Sequence, residues 1–176
     1  MIGKKSGIGE AIMDFERITE IFVILENKPS VLGEMLSQLA ENDINVEAIG
    51  VFQDTAKIYV KNLNKAVKIL SKLNYTTELR DVLLVHLENK PGALAEVATK
   101  IGDEGINVEY CYGTLSQVAD KISVILDVSN IDGAIKVLEK WRCQVNLDKA
   151  AWLVGANSNA FGQGREWIFI IIGFIV

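Results

Sequence analysis

The sequence contains an internal repeat, and this repeat limits the folds open to the chain more than any other feature. Two blocks recur at a spacing of 62 residues and a third at 68, so the second copy has gained about six residues before its last block. Two copies predict a pair of related domains, because a solenoid needs three or more repeats. The repeated blocks, first copy before second, are Leu25-Glu-Asn-Lys-Pro29 and Leu87-Glu-Asn-Lys-Pro91, Ile44-Asn-Val-Glu47 and Ile106-Asn-Val-Glu109, and Asn62–Leu70 and Asn130–Leu138.

Hydrophobic periodicity gives both copies the same order of elements, β-α-β-β-α-β, which is the ferredoxin-like arrangement. We therefore predict an α+β fold of two ferredoxin-like βαββαβ modules in tandem, each with an antiparallel sheet and both helices on one face. The predicted elements of the first copy are strand Ile21–Leu25, a helix from Pro29 to Asp43, strands Asn45–Phe52 and Ala56–Lys61, helix Asn64–Leu73 and strand Tyr75–Leu79. Those of the second copy are strand Leu83–Leu87, a helix from Pro91 to Gly105, strands Asn107–Leu115 and Lys121–Val128, helix Asp132–Trp141 and strand Cys143–Leu147.

The apolar pattern also predicts how the modules meet. The sheet face away from the helices is too apolar for water, so we expect it to contact the sister module or another chain. Tyr110 and Tyr112 share one strand face, where they either wall a pocket or pack at a module interface. The six extra residues of the second copy predict a longer hairpin with its tip at Ser116–Asp120.

We divide the chain into a leader (1–18), two modules (19–80 and 81–153), and a linker with an apolar tail (154–176). The tail ends in ten residues, Trp167–Val176, that carry no charge. This run is too short to cross a bilayer, which takes about 20 residues, so we expect no membrane span. Three alternatives stay open for the tail: an extra edge strand, a peripheral anchor, or a segment outside the working protein.

Composition excludes several classes of function. The net charge is −5 and no basic run exceeds Lys4-Lys5, which argues against a nucleic-acid partner. Cys111 and Cys143 lack metal-ligand spacing, and the glycines near the N-terminus do not form a P-loop, so we expect no metal and no cofactor. No apolar signal segment follows the N-terminal lysines, which predicts a cytoplasmic protein.

The turn between the first strand and first helix of each copy is the candidate binding site. A helix N-terminus presents unpaired backbone N–H groups and a partial positive charge, both of which attract a small carboxylate. Gly92 leaves room for a ligand in the second turn, whereas Ser30 adds a side chain in the first. The second turn, Asn89–Leu94, is therefore favoured over the first, Asn27–Leu32.

Asparagines at the turn and at the next strand add the groups that a zwitterion needs. The side-chain amides of Asn89 and Asn107 offer a donor for its carboxylate and an acceptor for its ammonium. The alternative is that the turn asparagines cap their helices and the strand asparagines only ease the chain into the strand. The predicted ligand-binding residues are Asn89, Lys90, Pro91, Gly92, Ala93, Leu94 and Asn107, with Asn27 and Asn45 as first-copy counterparts.

Nothing in the pattern predicts catalysis. His86 is the only histidine, and no serine, cysteine or second carboxylate pattern converges on it. We expect a structural role for His86 and predict that the protein is not an enzyme.

The run from Leu87 to Leu94, with Gly105-Ile-Asn-Val-Glu109, resembles the signature of the ACT domain family, and the doubled arrangement resembles free-standing tandem ACT proteins. The resemblance covers about Thr19 to Leu153. It implies modules paired side by side into a continuous sheet, with an amino acid held near the strand–helix turn.

By this resemblance we expect an amino-acid-binding regulatory protein, acting through ligand-dependent pairing as a homodimer or an intramolecular pair, with a metabolic enzyme as a regulated partner. The alternative is an assembly module for such an enzyme that binds no ligand. The same resemblance places Asn89 and Gly92 at the ligand-contacting turn and Asn107 at the paired position on the neighbouring loop.

Overall fold

A computed structural model describes residues 12–114 and 121–158, with side chains described for 14–114 and 121–147. The predicted α+β fold with an antiparallel sheet and four helices is confirmed over these residues. The elements are β1 Ile12–Ile24, α1 Val31–Glu41, β2 Ala48–Phe52, β3 Thr55–Tyr59, α2 Leu63–Lys72, β4 Thr77–Glu88, α3 Ala93–Asp103, β5 Val108–Gly113, β6 Lys121–Val128 and α4 Ile131–Ser158.

The strands form one six-stranded sheet in the order β2-β3-β1-β4-β6-β5. Its centre is the long antiparallel pair of β1 and β4, which runs from the partners Ile12 and Leu87 to Val23 and Thr77. β3 pairs with the C-terminal part of β1, and β6 pairs with the C-terminal part of β4. Each of the two central strands therefore serves both copies of the repeat.

The fourth strand predicted for the second copy is wrong, because Cys143–Leu147 lies within helix α4. In the first copy the chain leaves α2 through Asn74, whose φ is 64°. Asparagine tolerates this left-handed conformation better than most residues. Arg142 stands at the equivalent position of the second copy, so no residue there favours a turn and the helix continues to Ser158.

The N-terminal part of β1 takes the place of that missing strand. Phe15 pairs with Val85 of β4 and packs against the second core. An ion pair joins Arg17 to Asp132, and an Nη1 of Arg142 lies 3.1 Å from an Oδ1 of Asp14, so α4 is tied to the same strand. Residues 12–18, which we expected to form part of a leader, thus belong to the sheet and complete the second module.

The helices cover one face of the sheet in two pairs. α1 and α2 cover the first core, in which Ile21, Met35 and Leu70 are fully buried. α3 and α4 cover the second core, around Leu83 and Leu138. These two cores correspond to the two copies of the repeat.

The opposite face of the sheet is closed on itself. Ala48 of β2 and Thr114, just after β5, form an antiparallel bridge, which brings the two edge strands together. A third core lies inside this barrel-like closure, with Ile18, Ala48, Val82, Leu84 and Ile125 buried and Tyr59 and Tyr112 packed against them. Of the two contacts expected for the face away from the helices, the sister module or another chain, the structure shows the sister module.

Parts of the sequence predictions lie outside the described residues. These are the hairpin tip at Ser116–Asp120 and the apolar run Trp167–Val176. The predicted linker from residue 154 begins as helix, since α4 includes residues up to Ser158.

Candidate functional site

The two strand–helix turns have the same backbone geometry. The N–H of Lys28 donates to the carbonyl of Glu26 at 2.8 Å, and the N–H of Lys90 donates to the carbonyl of Glu88 at 2.8 Å. A hydrogen bond between residues two apart defines a γ-turn, here centred on the repeated asparagine. The repeated Glu-Asn-Lys sequence therefore encodes one specific tight turn, made twice.

Each first helix begins two residues after its proline, and not at the proline as we predicted. The N-cap residues are Ser30 and Gly92, with φ values of 72° and 93°, and neither helix has a side-chain cap. The turn asparagines thus do not cap the helices, which excludes that part of the alternative. The start of each helix is left without a side-chain acceptor for its first-turn amides.

The predicted site residues of the second turn divide into exposed and buried ones. Asn89, Pro91 and Gly92 are exposed. The Nζ of Lys90 lies 2.7 Å from an Oε2 of its neighbour Glu88. Ala93 is buried in the second core, and Leu94 is half-buried and packs against it, so their side chains belong to the core.

The strand asparagines, Asn45 and Asn107, each donate a side-chain hydrogen bond to the glutamate two residues further along the chain. The Nδ2 of Asn107 donates to an Oε1 of Glu109 at 3.0 Å, and its backbone N–H donates to the Oγ of Ser129 at 3.0 Å. Asn45 makes the matching bond to Glu47 at 3.1 Å. These hydrogen bonds hold the strand ends, and none of them joins a strand asparagine to its turn, so a shared role in binding stays a prediction.

The first turn has a feature that the sequence did not suggest. A shallow hollow of about 610 Å³, open to solvent, lies on α1 and is lined by Ser30, Gly33, Glu34, Ser37 and Gln38. Asn27, at the apex of this turn, is exposed like Asn89.

The two tyrosines of β5 lie at the module interface. The hydroxyl of Tyr112 donates to an Oε2 of Glu20 at 2.6 Å, and the hydroxyl of Tyr110 donates to the other carboxylate oxygen. Glu20 lies on β1 and is fully buried. Of the two alternatives, the structure therefore supports the interface.

Glu20, Lys57, Tyr110, Tyr112 and Asp127 form what we call the buried polar cluster. The Nζ of Lys57 lies 2.9 Å from the ring centroid of Tyr110. Burial raises the pKa of the Glu20 carboxyl, although hydrogen bonds from both tyrosines and the charge of Lys57 oppose the shift. Burial likewise lowers the pKa of Lys57.

The tyrosines of this cluster were predicted from the sequence, whereas their acceptor Glu20 was not. Glu20 lies between Ile18 and Phe22 on the inward face of β1, which is the face opposite the helices. A carboxylate on an otherwise apolar strand face was the one sign in the sequence that Glu20 could have a special role. Its partners are 90 and 92 residues away, so the sequence could not specify the contact.

The sequence pattern of one known family, described as an ACT domain pair, matches residues 16–150. The chain belongs to the ACT domain pair family. The resemblance inferred from the repeated motif is therefore confirmed, and the match begins within the strand β1 that both modules share.

Solved structures share the ACT fold seen here. Protein BT0572 from Bacteroides thetaiotaomicron gives a TM-score of 0.63 at 29% identity, over 74% of this chain and 90% of that chain. The regulatory subunits of aspartate kinase from Thermus thermophilus (ligand-free form) and Thermus flavus give TM-scores of 0.55 and 0.53 at 20% and 19% identity, over 74% of this chain and 97% and 98% of theirs. At these identities the two kinase subunits establish a likeness of fold alone. No curated protein matches the sequence.

His86 of this ACT pair has a partner that the sequence did not predict. Its Nδ1 lies 2.6 Å from the Oγ of Ser123 on the neighbouring strand β6, where the register places the two residues opposite each other. The alternation of β6 shows which face of the strand Ser123 lies on, but only the register between β4 and β6 places Ser123 opposite His86.

The described residues contain neither a metal-ligand cluster nor a membrane-spanning helix. No group of three or more potential metal ligands occurs among them, and Cys111 and Cys143 are free and exposed. None of the described helices is long and apolar enough to cross a membrane.

Proposed function

We propose that this ACT domain pair is a regulatory protein, and not an enzyme, that binds a small amino acid at the strand–helix turn of its second copy. The observation that carries the proposal is the N-terminus of α3. Its N-cap residue is the exposed Gly92, it has no side-chain cap, and it follows a tight turn centred on exposed Asn89. The backbone N–H groups of such a terminus suit a carboxylate.

The difference between the two N-caps supports the second turn. Gly92 has nothing within 4 Å of where a Cβ would stand, so a ligand can approach the backbone there. Ser30 adopts the same left-handed conformation with a side chain present. The hollow beside Ser30 keeps the first turn as a second position to be tested.

The named relatives support a regulatory role. Two of the similar structures are regulatory subunits of aspartate kinase. We propose by analogy a cytoplasmic protein whose partner is a metabolic enzyme and whose working form is the intramolecular module pair or a homodimer of it.

A thermal-shift screen of the twenty amino acids tests the proposal. Stabilisation follows RT ln(1 + [L]/Kd), so a ligand at a thousand times its Kd adds about 4 kcal/mol, an easily measured shift. Absence of a shift with every amino acid contradicts the proposal.

A matched pair of variants locates the ligand. Asn89→Ala removes the exposed amide of the second turn, and Asn27→Ala removes its exposed counterpart from the first. We expect the ligand-induced shift to fall in Asn89→Ala and to persist in Asn27→Ala. The reverse result would move the site to the first copy.

One observation favours a second candidate function, that of an assembly module binding no ligand. Ile24, Leu79, Val51 and Phe52 are large apolar side chains between 42% and 53% exposed, on three strands at one end of the sheet. The strand register places Leu79 and Val51 on the face covered by the helices and Ile24 and Phe52 on the opposite face. Exposed apolar side chains gathered at one end of a sheet are common where another protein binds. If this is the function, the amino-acid screen gives no shift while Leu79→Asp lowers the size of the assembly seen in gel filtration.

A further inference from the structure

The inward face of the sheet is layered along the barrel axis. The buried polar cluster lies on one side of the third core, around Glu20. On the other side of that core lies a cavity of about 260 Å³, which we call the mouth cavity. Leu84 and Tyr59 form its apolar floor, and its polar lining includes Glu16, Glu47, Lys61, His86, Lys121 and Ser123.

Both copies of the repeat build the mouth cavity. Glu47 and Lys61 come from the first copy, and His86, Lys121 and Ser123 come from the second. The cavity exists because the β2 and β5 edges meet through the Ala48–Thr114 bridge. It lies on the inward face of the sheet, whereas α3 begins on the helical side, so it is separate from the strand–helix turns.

The charges around the mouth cavity balance. Two carboxylates and two ammonium groups line it. The Nζ of Lys61 lies 3.6 Å from an Oε1 of Glu47, which also accepts from Asn45. Glu16 and Lys121 make no ion pair with another residue in the described part of the chain. One carboxylate and one ammonium are therefore left to face a ligand that carries both opposite charges.

We propose that the mouth cavity is a second binding site, which takes a free amino acid in its zwitterionic form. The ligand's ammonium pairs with Glu16 and its carboxylate pairs with Lys121, two exposed side chains of the cavity lining, because charge-assisted hydrogen bonds are stronger than neutral ones. Small-molecule pockets are typically about 300–1,000 Å³, and a cavity of about 260 Å³ lies just below this range, which suits a ligand as small as an amino acid.

His86 and Ser123 position the ligand in this proposal. Their short mutual hydrogen bond fixes the imidazole against β6. Leu84 and Tyr59 offer the ligand's side chain an apolar surface, which favours a small or aliphatic amino acid. This inference deepens the proposed function, since it adds a site between the modules for the same class of ligand.

Proton–nitrogen NMR of the full chain, titrated with each of the twenty amino acids, reads the two sites separately. We expect the amide signals of His86 and Ser123 to shift with at least one small or aliphatic amino acid. In Glu16→Gln and in Lys121→Gln the affinity at these signals should fall about tenfold or more, as expected for a lost charged contact. The matched control Glu139→Gln alters an exposed carboxylate on α4 and should leave the titration unchanged.

The Gly92 amide reports on the turn in the same spectra. Shifts at Gly92 with none at His86 and Ser123 would overturn the proposal that the mouth cavity binds an amino acid, and would leave the proposed function standing. Shifts at the cavity with none at Gly92 would support the cavity and overturn the proposed turn site. Cavity shifts that Glu16→Gln and Lys121→Gln leave unchanged would also overturn the inference.

Discussion

The hydroxyl of Tyr112 should contribute substantially to the stability of the module interface. Tyr112→Phe removes one donor to the buried Glu20 carboxylate, at 2.6 Å, and keeps the ring. Hydrogen bonds to charged groups contribute about 1.5–3 kcal/mol, so we expect the free energy of unfolding to fall by that amount. At about 2–4 °C per kcal/mol for a chain of this size, the melting temperature should fall by about 3–12 °C.

Tyr59→Phe is the matched control. Tyr59 packs against the same third core from β3, and its hydroxyl makes no hydrogen bond to another described residue. Its loss should change the free energy of unfolding by about 0.5 kcal/mol or less. Urea denaturation of both variants at neutral pH, with the same slope as the wild type, measures the difference.

The double variant Tyr110→Phe/Tyr112→Phe extends the test. It leaves Glu20 with neither tyrosine donor, so its destabilisation should exceed the sum of the two single changes. Equal effects of Tyr112→Phe and Tyr59→Phe would refute the reasoning, because the hydrogen bond to Glu20 would then contribute nothing measurable.

The remaining predictions concern four single substitutions. Ser30→Gly relieves a left-handed backbone and should stabilise by about 0.5–1 kcal/mol, whereas Gly92→Ala should destabilise by about 1–2 kcal/mol, both measured by thermal denaturation. Gly50→Ala places a Cβ 2.9–3.1 Å from two aromatic rings and should cost about 1–3 kcal/mol in urea denaturation. The wild type should lose stability as the pH rises above 4.5, the ordinary pKa of a glutamate carboxyl, because the raised pKa of Glu20 means that the folded state keeps this proton at a pH where the unfolded chain has released it. Glu20→Gln should remove this loss.

One control variant and two contradicting outcomes test these predictions. Gly33→Ala adds a Cβ within α1 that meets nothing within 4 Å, and should stabilise by about 1 kcal/mol where Gly50→Ala destabilises. Stability curves of wild type and Glu20→Gln that run parallel between acid and neutral pH would contradict the raised pKa of Glu20. A neutral effect of Gly92→Ala would show that the left-handed N-cap is not needed.

Much of the fold could be predicted because local signals repeat in the two copies. The strand Lys121–Val128 was predicted with its observed bounds, since its apolar alternation is strict. The helix ends were marked by Asp43 and Gly105, and both have positive φ in the structure, at 53° and 73°. These features depend on backbone preferences of a few neighbouring residues.

The fourth strand of the second module shows where repeat logic failed. Similarity between Asn130–Leu138 and its first-copy counterpart suggested the same ending for both. The two copies differ here at the turn residue, which is Asn74 in the first copy and Arg142 in the second. The replacement strand comes from the N-terminus, and its pairing with β4 depends on contacts more than sixty residues apart, which no local pattern encodes.

The sequence by itself determined the doubled module, the strands and helices that the two copies share and the geometry of the repeated turn, because each depends on residues close together in the chain. Only the tertiary structure decided that the two modules share β1 and β4, that Glu20 meets both tyrosines, and that His86 meets Ser123 beside a cavity of mixed charge. These contacts arise when the sheet closes, and closure depends on the summed burial of the inward face and not on any single stretch of sequence.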